Sequence, residues 1–213
     1  MVKPIVRWTV TDVSEWGFEV LNKSVVLFNS LYGDRFETFI CYNNLSKSNF
    51  SKLPKVDNLL DQSKFSGSLP IKAPDHYCCA WKIYPPRINI NVQEIFLDND
   101  VILYKKIPQF DEDKIVITEA INRSYSGPLA GKIKTNLNVG LMSFPPNFDL
   151  FSKICNVVKV MPLEWKEYFD EQTLLAYIIE KHDHHVLTLK DVHICLNNFS
   201  YGKYCLFLKS DNK

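Results

Sequence analysis

The chain has 213 residues, 46% of them hydrophobic and 23% charged, with a formal net charge of +1. That length suits one medium α/β domain, 1–213, whose core needs no disulfide or metal staple. A charge this close to zero, with no long basic run, argues against bulk binding to nucleic acid or to a membrane surface, and no stretch approaches the roughly 20 apolar residues of a spanning helix. The segment from Met1 to Arg7 is too short and interrupted for a signal peptide. The six cysteines, Cys41, Cys78, Cys79, Cys155, Cys195 and Cys205, form no C-x-x-C, and several lie in apolar runs. They are expected to be reduced core residues of a cytoplasmic protein.

Ile5 to Val10 is the first predicted strand. Asp12, with Glu15 three residues on, has the spacing of a helix capping box. Phe18, Leu21, Val25, Phe28 and Tyr32 then recur at helical steps, and Gly33-Asp34 stops the helix. Phe36 to Tyr42 is the second strand. A strand, a helix and a strand in this order predict a right-handed crossover with parallel strands. The polar stretch from Asn43 to Pro74 reads as loop with one short helix at Val56 to Gln62. Cys78 to Ile83 starts another helix, broken by Pro85-Pro86.

Val92 to Leu103, V-Q-E-I-F-L-D-N-D-V-I-L, carries the strongest chemical signal. Apolar Ile95-Phe96-Leu97 runs into Asp98-Asn99-Asp100, and Val101-Ile102-Leu103 follows. Alternation along a strand puts Asp98 and Asp100 on one face and Asn99 on the other. Two adjacent carboxylates repel unless a cation or donors share the site, so the pair suits a hard divalent metal such as Mg²⁺ or Mn²⁺ with a bound phosphate. The alternative is a plain Asp/Asn turn. Asp111-Glu112-Asp113 has the same pattern in a polar loop and is given no function.

Lys114 to Ala120 is a further strand, and Asn136 to Phe144 another, ended by Pro145-Pro146. Asn138 and Gly140 inside that strand mark either the close approach of a ligand or a bulge. Leu163 to Lys181 contains a helix starting at Glu164 or at Asp170. On it Gln172 shares a stripe with Leu175, Ala176 and Ile179, so its amide needs a ligand or a backbone partner. His185 to Leu189 and Tyr204 to Leu208 are predicted edge strands. The first half alternates strand and helix and the second is mixed, which gives an α/β fold with ligands at the carboxyl ends of strands. Neither Gly-x-Gly-x-x-Gly nor Gly-Lys-Ser/Thr is present. A diphosphate would need a metal, helped by Lys82 or Arg87.

Five pieces in this order, R-W-T-V-T-D (7–12), A-W-K-I-Y-P-P-R (80–87), E-I-F-L-D-N-D-V-I (94–102), N-L-N-V-G-L-M (136–142) and F-D-E-Q-T-L (169–174), resemble the nucleotide-diphospho-sugar transferases, glycosyltransferases of the GT-A fold, in a family-8-like layout. The resemblance implies a mixed, mainly parallel central sheet flanked by helices. It implies that Asp98 and Asp100 form the Asp-x-Asp motif, binding Mn²⁺ or Mg²⁺ and through it the donor diphosphate, with Asn99 beside them. Trp8, Thr9 and Asp12 would line the nucleoside pocket, and Lys82 or Arg87 would contact phosphate or ribose. Asn138 and Gly140 would lie beside sugar and acceptor, with Asp170 and Gln172 facing the reaction centre. If the anomeric centre inverts, Asp170 would act as base; retention requires none.

The chain departs from the family in two places. It lacks the C-terminal His-x-x-Gly-x-x-Lys-Pro-Trp ending: Gly202-Lys203-Tyr204 offers no third metal ligand, which leaves His193, or His184 and His185, as substitutes. Val139 stands where Ser is more usual. The expected function is therefore transfer of a sugar from a UDP- or GDP-linked donor to an unknown acceptor. The alternative is a sugar-nucleotide-binding protein that has lost turnover. A nucleotidyltransferase ranks last, because Trp8 to Asp12 is not a Gly-rich loop.

Overall fold

The computed structural model describes residues 2–72, 79–111, 113–167, 169–195 and 205–208. β1 (Ile5–Val10), α1 (Glu15–Tyr32) and β2 (Glu37–Tyr42) form the predicted crossover, with β1 and β2 parallel from Ile5↔Glu37 to Val10↔Tyr42. Phe18, Leu21, Val25, Phe28 and Tyr32 of α1 are all buried. The helix is capped by the Ser14 hydroxyl, which accepts from Gly17 N–H, and not by Asp12. It ends at Gly33, whose φ of 61° lies in the left-handed region that favours glycine.

After a one-turn helix α2 (Lys47–Phe50), β3 (Asn58–Asp61) lies parallel to β2. This corrects the helix expected at Val56 to Gln62. The cause is tertiary: one Asp57 carboxylate oxygen accepts from both the N–H and the hydroxyl of Thr38, which lays the segment along β2.

β4 (Glu94–Asp98) pairs in parallel with the other side of β1. It is followed by β5 (Val101–Leu103), β6 (Ile115–Glu119), β7 (Leu137–Phe144), α3 (Leu150–Val160), α4 (Asp170–Ile179), β8 (His184–Leu187), β9 (Val192–Cys195) and β10 (Cys205–Leu208). The main sheet has the order β3-β2-β1-β4-β7-β6-β8, in which β7 alone runs antiparallel to its neighbours β4 and β6. This is a mixed, mainly parallel sheet flanked by helices, as expected. Trp8, Ile95 and Leu97 pack against α1 on one face of it. Phe96, Met142 and Phe144 pack against α3, α4 and the turn at Trp81–Tyr84 on the other.

The second sheet is small, in the order β5-β10-β9. β10 is thus its middle strand and not an edge, while β8 is an edge strand as expected. Among the described residues no helix is long and apolar enough to cross a membrane.

Candidate active site at the carboxyl end of β4

Thr9 on β1 and Asp98 on β4 are register partners at the carboxyl ends of two parallel strands. Partners in parallel strands share a face. On that face, toward the amino end, Phe96 lies under the Arg7 guanidinium, 3.6 Å from ring centroid to Cζ. The same face is crossed by a 3₁₀ turn, Cys79–Ile83, which delivers Lys82. The turn is pinned from several sides. Arg7 donates to the carbonyls of Lys82 (2.8 Å) and Pro85 (2.9 Å), and the Gln62 amide donates to those of Trp81 (2.6 Å) and Tyr84 (3.0 Å).

Lys82 is only 3% exposed, and its ammonium sits at the centre of a cluster. It lies 2.8 Å from Asp98 Oδ1 and 3.5 Å from Glu171 Oε1, and it donates to the Val139 carbonyl at 3.1 Å. Asp98 keeps 31% of its side chain exposed, whereas Glu171 keeps 4%. Burial pushes the Glu171 carboxyl above its ordinary range; the Lys82 ammonium opposes this and the Asp98 charge adds to it. The cluster therefore has a wet end at Asp98 and a dry end at Glu171.

The strand alternation expected through Asp100 stops at Asp98. Asn99 and Asp100 form a turn, after which β5 leaves for the small sheet. The exit of that turn is held from below: the Trp8 indole N–H donates to Ser24 Oγ (2.8 Å), and the Ser24 hydroxyl donates to the Val101 carbonyl. Trp8 is 0% exposed and meets Phe28 edge-on. It is a core residue that positions the Asp98–Asp100 turn, and its buried ring faces α1 rather than an open pocket. Thr9 and Asp12 are partly exposed. The Asp12 carboxylate accepts from Ser46 N–H (3.2 Å) and the Asn49 amide (2.8 Å), binding the loop after β2 to the end of β1.

Arg87 is not brought to this place. It lies at the other end of β4, with Nε 3.1 Å from Glu94 Oε2 and its remaining donors on the carbonyls of Val92, Pro145 and Phe148. Asp170 is also turned away. Its carboxylate accepts from the Ser126 hydroxyl (2.6 Å) and from the N–H groups of Lys166 (2.7 Å) and Glu167 (2.8 Å). The acid that α4 presents to Lys82 is the next residue, Glu171. The signal was in the chain: Glu171 stands three, four and seven residues before Leu174, Leu175 and Ile178, on the buried arc of α4. Gln172 is buried and donates to the Ser124 carbonyl at 2.7 Å, which is the backbone partner its stripe required.

Of the two readings for Asn138 and Gly140, the bulge is present. The register between β6 and β7 jumps from Ile117↔Met142 to Thr118↔Asn138, so Val139, Gly140 and Leu141 stand out from β6. Asn138 Oδ1 accepts from Gly140 N–H at 2.8 Å, which stabilises the bulge. The bulge turns the Val139 carbonyl onto Lys82.

Among the described residues no group of three or more His, Cys, Asp or Glu could hold a metal. Asp98 and Asp100 nonetheless supply the donor chemistry that Mg²⁺ or Mn²⁺ uses when one or two carboxylates, waters and substrate phosphates complete its shell, and the exposed part of Asp98 leaves one side open. His184 and His185 lie on β8, three strands from β4 and so about 14 Å away at sheet spacing. The His193 backbone belongs to the small sheet, across β10 from Ile102. Gly202-Lys203-Tyr204 lies outside the described residues.

Solved structures share this fold at low identity. Mouse xyloside xylosyltransferase 1 in its apo form aligns with a TM-score of 0.62 and 12% identity, covering 100% of this chain and 100% of its own. The galactosyltransferase LgtC, in complex with donor and acceptor sugar analogs, gives 0.57 and 13%, over 89% of this chain and 75% of its own. The bifunctional glycosyltransferase WbbM gives 0.62 and 13%, over 90% of this chain and 40% of its own. The fold is that of GT-A-like glycosyltransferases. No protein-family model matches the sequence, and no curated relative matches it.

Proposed function

We propose that this chain, built on the fold of those glycosyltransferases, moves a sugar from a nucleoside-diphosphate donor to an acceptor, in a family-8-like manner and with a divalent metal. The observation that carries the reading is the Lys82–Asp98–Glu171 cluster at the carboxyl end of β4, where ligands of open α/β sheets bind. Asp98 and Asp100 would hold Mn²⁺ or Mg²⁺, which supplies charge neutralisation for a departing diphosphate. Lys82, fixed by Glu171 and the Val139 carbonyl, adds a preorganised positive charge beside the carboxylate pair. Thr9, Asp12 and Asn99 would line the nucleoside side, while the Asn138–Gly140 bulge and Gln172 would wall the sugar side.

A second reading, sugar-nucleotide binding without turnover, is favoured by one observation: the Lys82 ammonium already pairs with Asp98, so metal must compete for that oxygen.

Calorimetry with UDP and GDP, with and without Mn²⁺, separates the two when combined with a donor-hydrolysis assay. The transferase reading expects binding of one nucleotide to strengthen at least tenfold with Mn²⁺, the gain to vanish in Asp100→Ala, and slow hydrolysis of the matching nucleotide sugar. Metal-enhanced binding with no turnover of any nucleotide sugar supports the second reading. Binding that ignores both Mn²⁺ and the substitution removes the site.

A further inference from the structure

A groove of about 200 Å³ lies between α3 and α4. It sits at the end of α4 remote from Glu171, about 10 Å along the helix axis. Val157, Val160 and the Tyr177 ring form its apolar part, and Lys153, Lys181 and His182 its polar part; none of its lining residues is acidic. The Lys181 ammonium rests 3.5 Å from the Tyr177 ring centroid, held at the mouth by the ring face. Lys159, exposed in the last turn of α3, adds a third ammonium. Beside it Val160 is 81% exposed, at a helix end where nothing packs over it.

None of the acids nearest in sequence lines the groove. Glu180 accepts from the backbone of Lys134 and from Thr135, Asp183 pairs with Lys114, and Asp149 caps α3. A near-neutral chain thus carries three ammonium groups on one face, with a projecting apolar residue, Val160, at the helix end beside them.

We propose that this face docks the protein on an anionic phospholipid surface, with Val160 and Val157 entering the headgroup–acyl boundary and Lys153, Lys159 and Lys181 meeting lipid phosphates. An exposed aliphatic side chain flanked by ammonium groups is the arrangement that partitions into such an interface, and each ammonium near an anionic leaflet adds to the attraction. A soluble acidic protein would satisfy the lysines but gives no role to the exposed Val160. Glu171, the α4 residue that meets Lys82, lies toward the opposite end of that helix.

The test is co-sedimentation of the full chain with phosphatidylcholine vesicles and with vesicles containing about a third phosphatidylglycerol. Binding to the anionic vesicles alone is expected. The doubly charge-reversed K153E/K181E should lose at least tenfold in affinity and Val160→Asp a comparable amount, with melting curves unchanged. Lys64→Glu, an exposed lysine in the Gln62–Phe65 turn, is expected to behave as wild type. Absence of binding, equal binding to both vesicles, or an equal loss in Lys64→Glu overturns the proposal. So does capture of polyglutamate through Lys153 and Lys181 by a protein that ignores anionic vesicles.

Discussion

Cys41 lies on β2 with its thiol wholly buried, and burial pushes that thiol up to about 12. The thiolate is the nucleophile, so native protein at pH 8 should leave Cys41 unalkylated by iodoacetamide while the partly exposed Cys155 is modified. Peptide mass spectrometry before and after denaturation reads this directly, and native labelling of Cys41 would contradict the burial. Residue identity alone told less about where charged and aromatic groups point. Trp8 and Arg87 were expected at a ligand and are found inside the protein, because a strand-end Trp next to a helix with Ser24, or an Arg seven residues before Glu94, is satisfied by the fold itself. Lys82 and Asp98 were legible as site residues; their pairing across 15 residues of intervening chain was not. Glu171 was masked by Asp170, one step away on α4, since an uncertain helix start leaves the facing of its first residues undetermined.

At the scale of elements, α3 is the piece the sequence reading left unassigned. Its eleven residues hold Ile154, Val157, Val158 and Val160, β-branched types that weaken the helix signal. What fixes its start is Asp149, whose carboxylate accepts from both the N–H (2.9 Å) and the hydroxyl of Ser152. Removing it, in Asp149→Ala, should cost about 1 kcal/mol in urea unfolding at neutral pH. The Ser152 hydroxyl and then its N–H hold the Asp149 carboxyl below the ordinary carboxylate range. A lowered folded value means that the unfolded chain binds the proton first, so this stabilisation is present above the ordinary range and is lost as pH falls through the lowered one. The difference between wild type and Asp149→Ala should shrink over that acid interval; a constant difference would rule out the cap. β3, by contrast, could not be read locally, because its extended form is imposed by the Asp57–Thr38 clamp from a neighbouring strand.

Across the whole molecule, one buried carboxylate joins distant parts of the chain. Glu94, wholly buried, lies 3.3 Å from Arg7 Nε, at an angle unsuited to a hydrogen bond, and 3.1 Å from Arg87 Nε, and it accepts from Ile88 N–H at 2.9 Å. Through the two guanidinium groups it links β1 and β4 to the 82–86 crossing and to the carbonyls of Pro145 and Phe148. Glu94→Ala would leave two arginines buried without their counter-charge and should cost about 3–5 kcal/mol, read as a shift in the urea midpoint. A loss below 1 kcal/mol would show that the arginines are held by carbonyls alone. The order β1, α1, β2 was readable, since hydrophobic period and turn residues are local. The departure of β5 into a separate sheet was not, because its partner lies about a hundred residues later.

That late partner has a consequence for biosynthesis. β5 follows Asp100 directly, yet its hydrogen-bonding neighbour is β10, with Leu103 opposite Cys205. On a translating ribosome, β5 must wait as an unpaired edge until residue 205 clears the exit tunnel. A nascent chain stalled before that point can still close the main sheet and dock β5 on α1 through the Ser24–Val101 contact, so the Asp98–Asp100 turn can be set before the small sheet is completed.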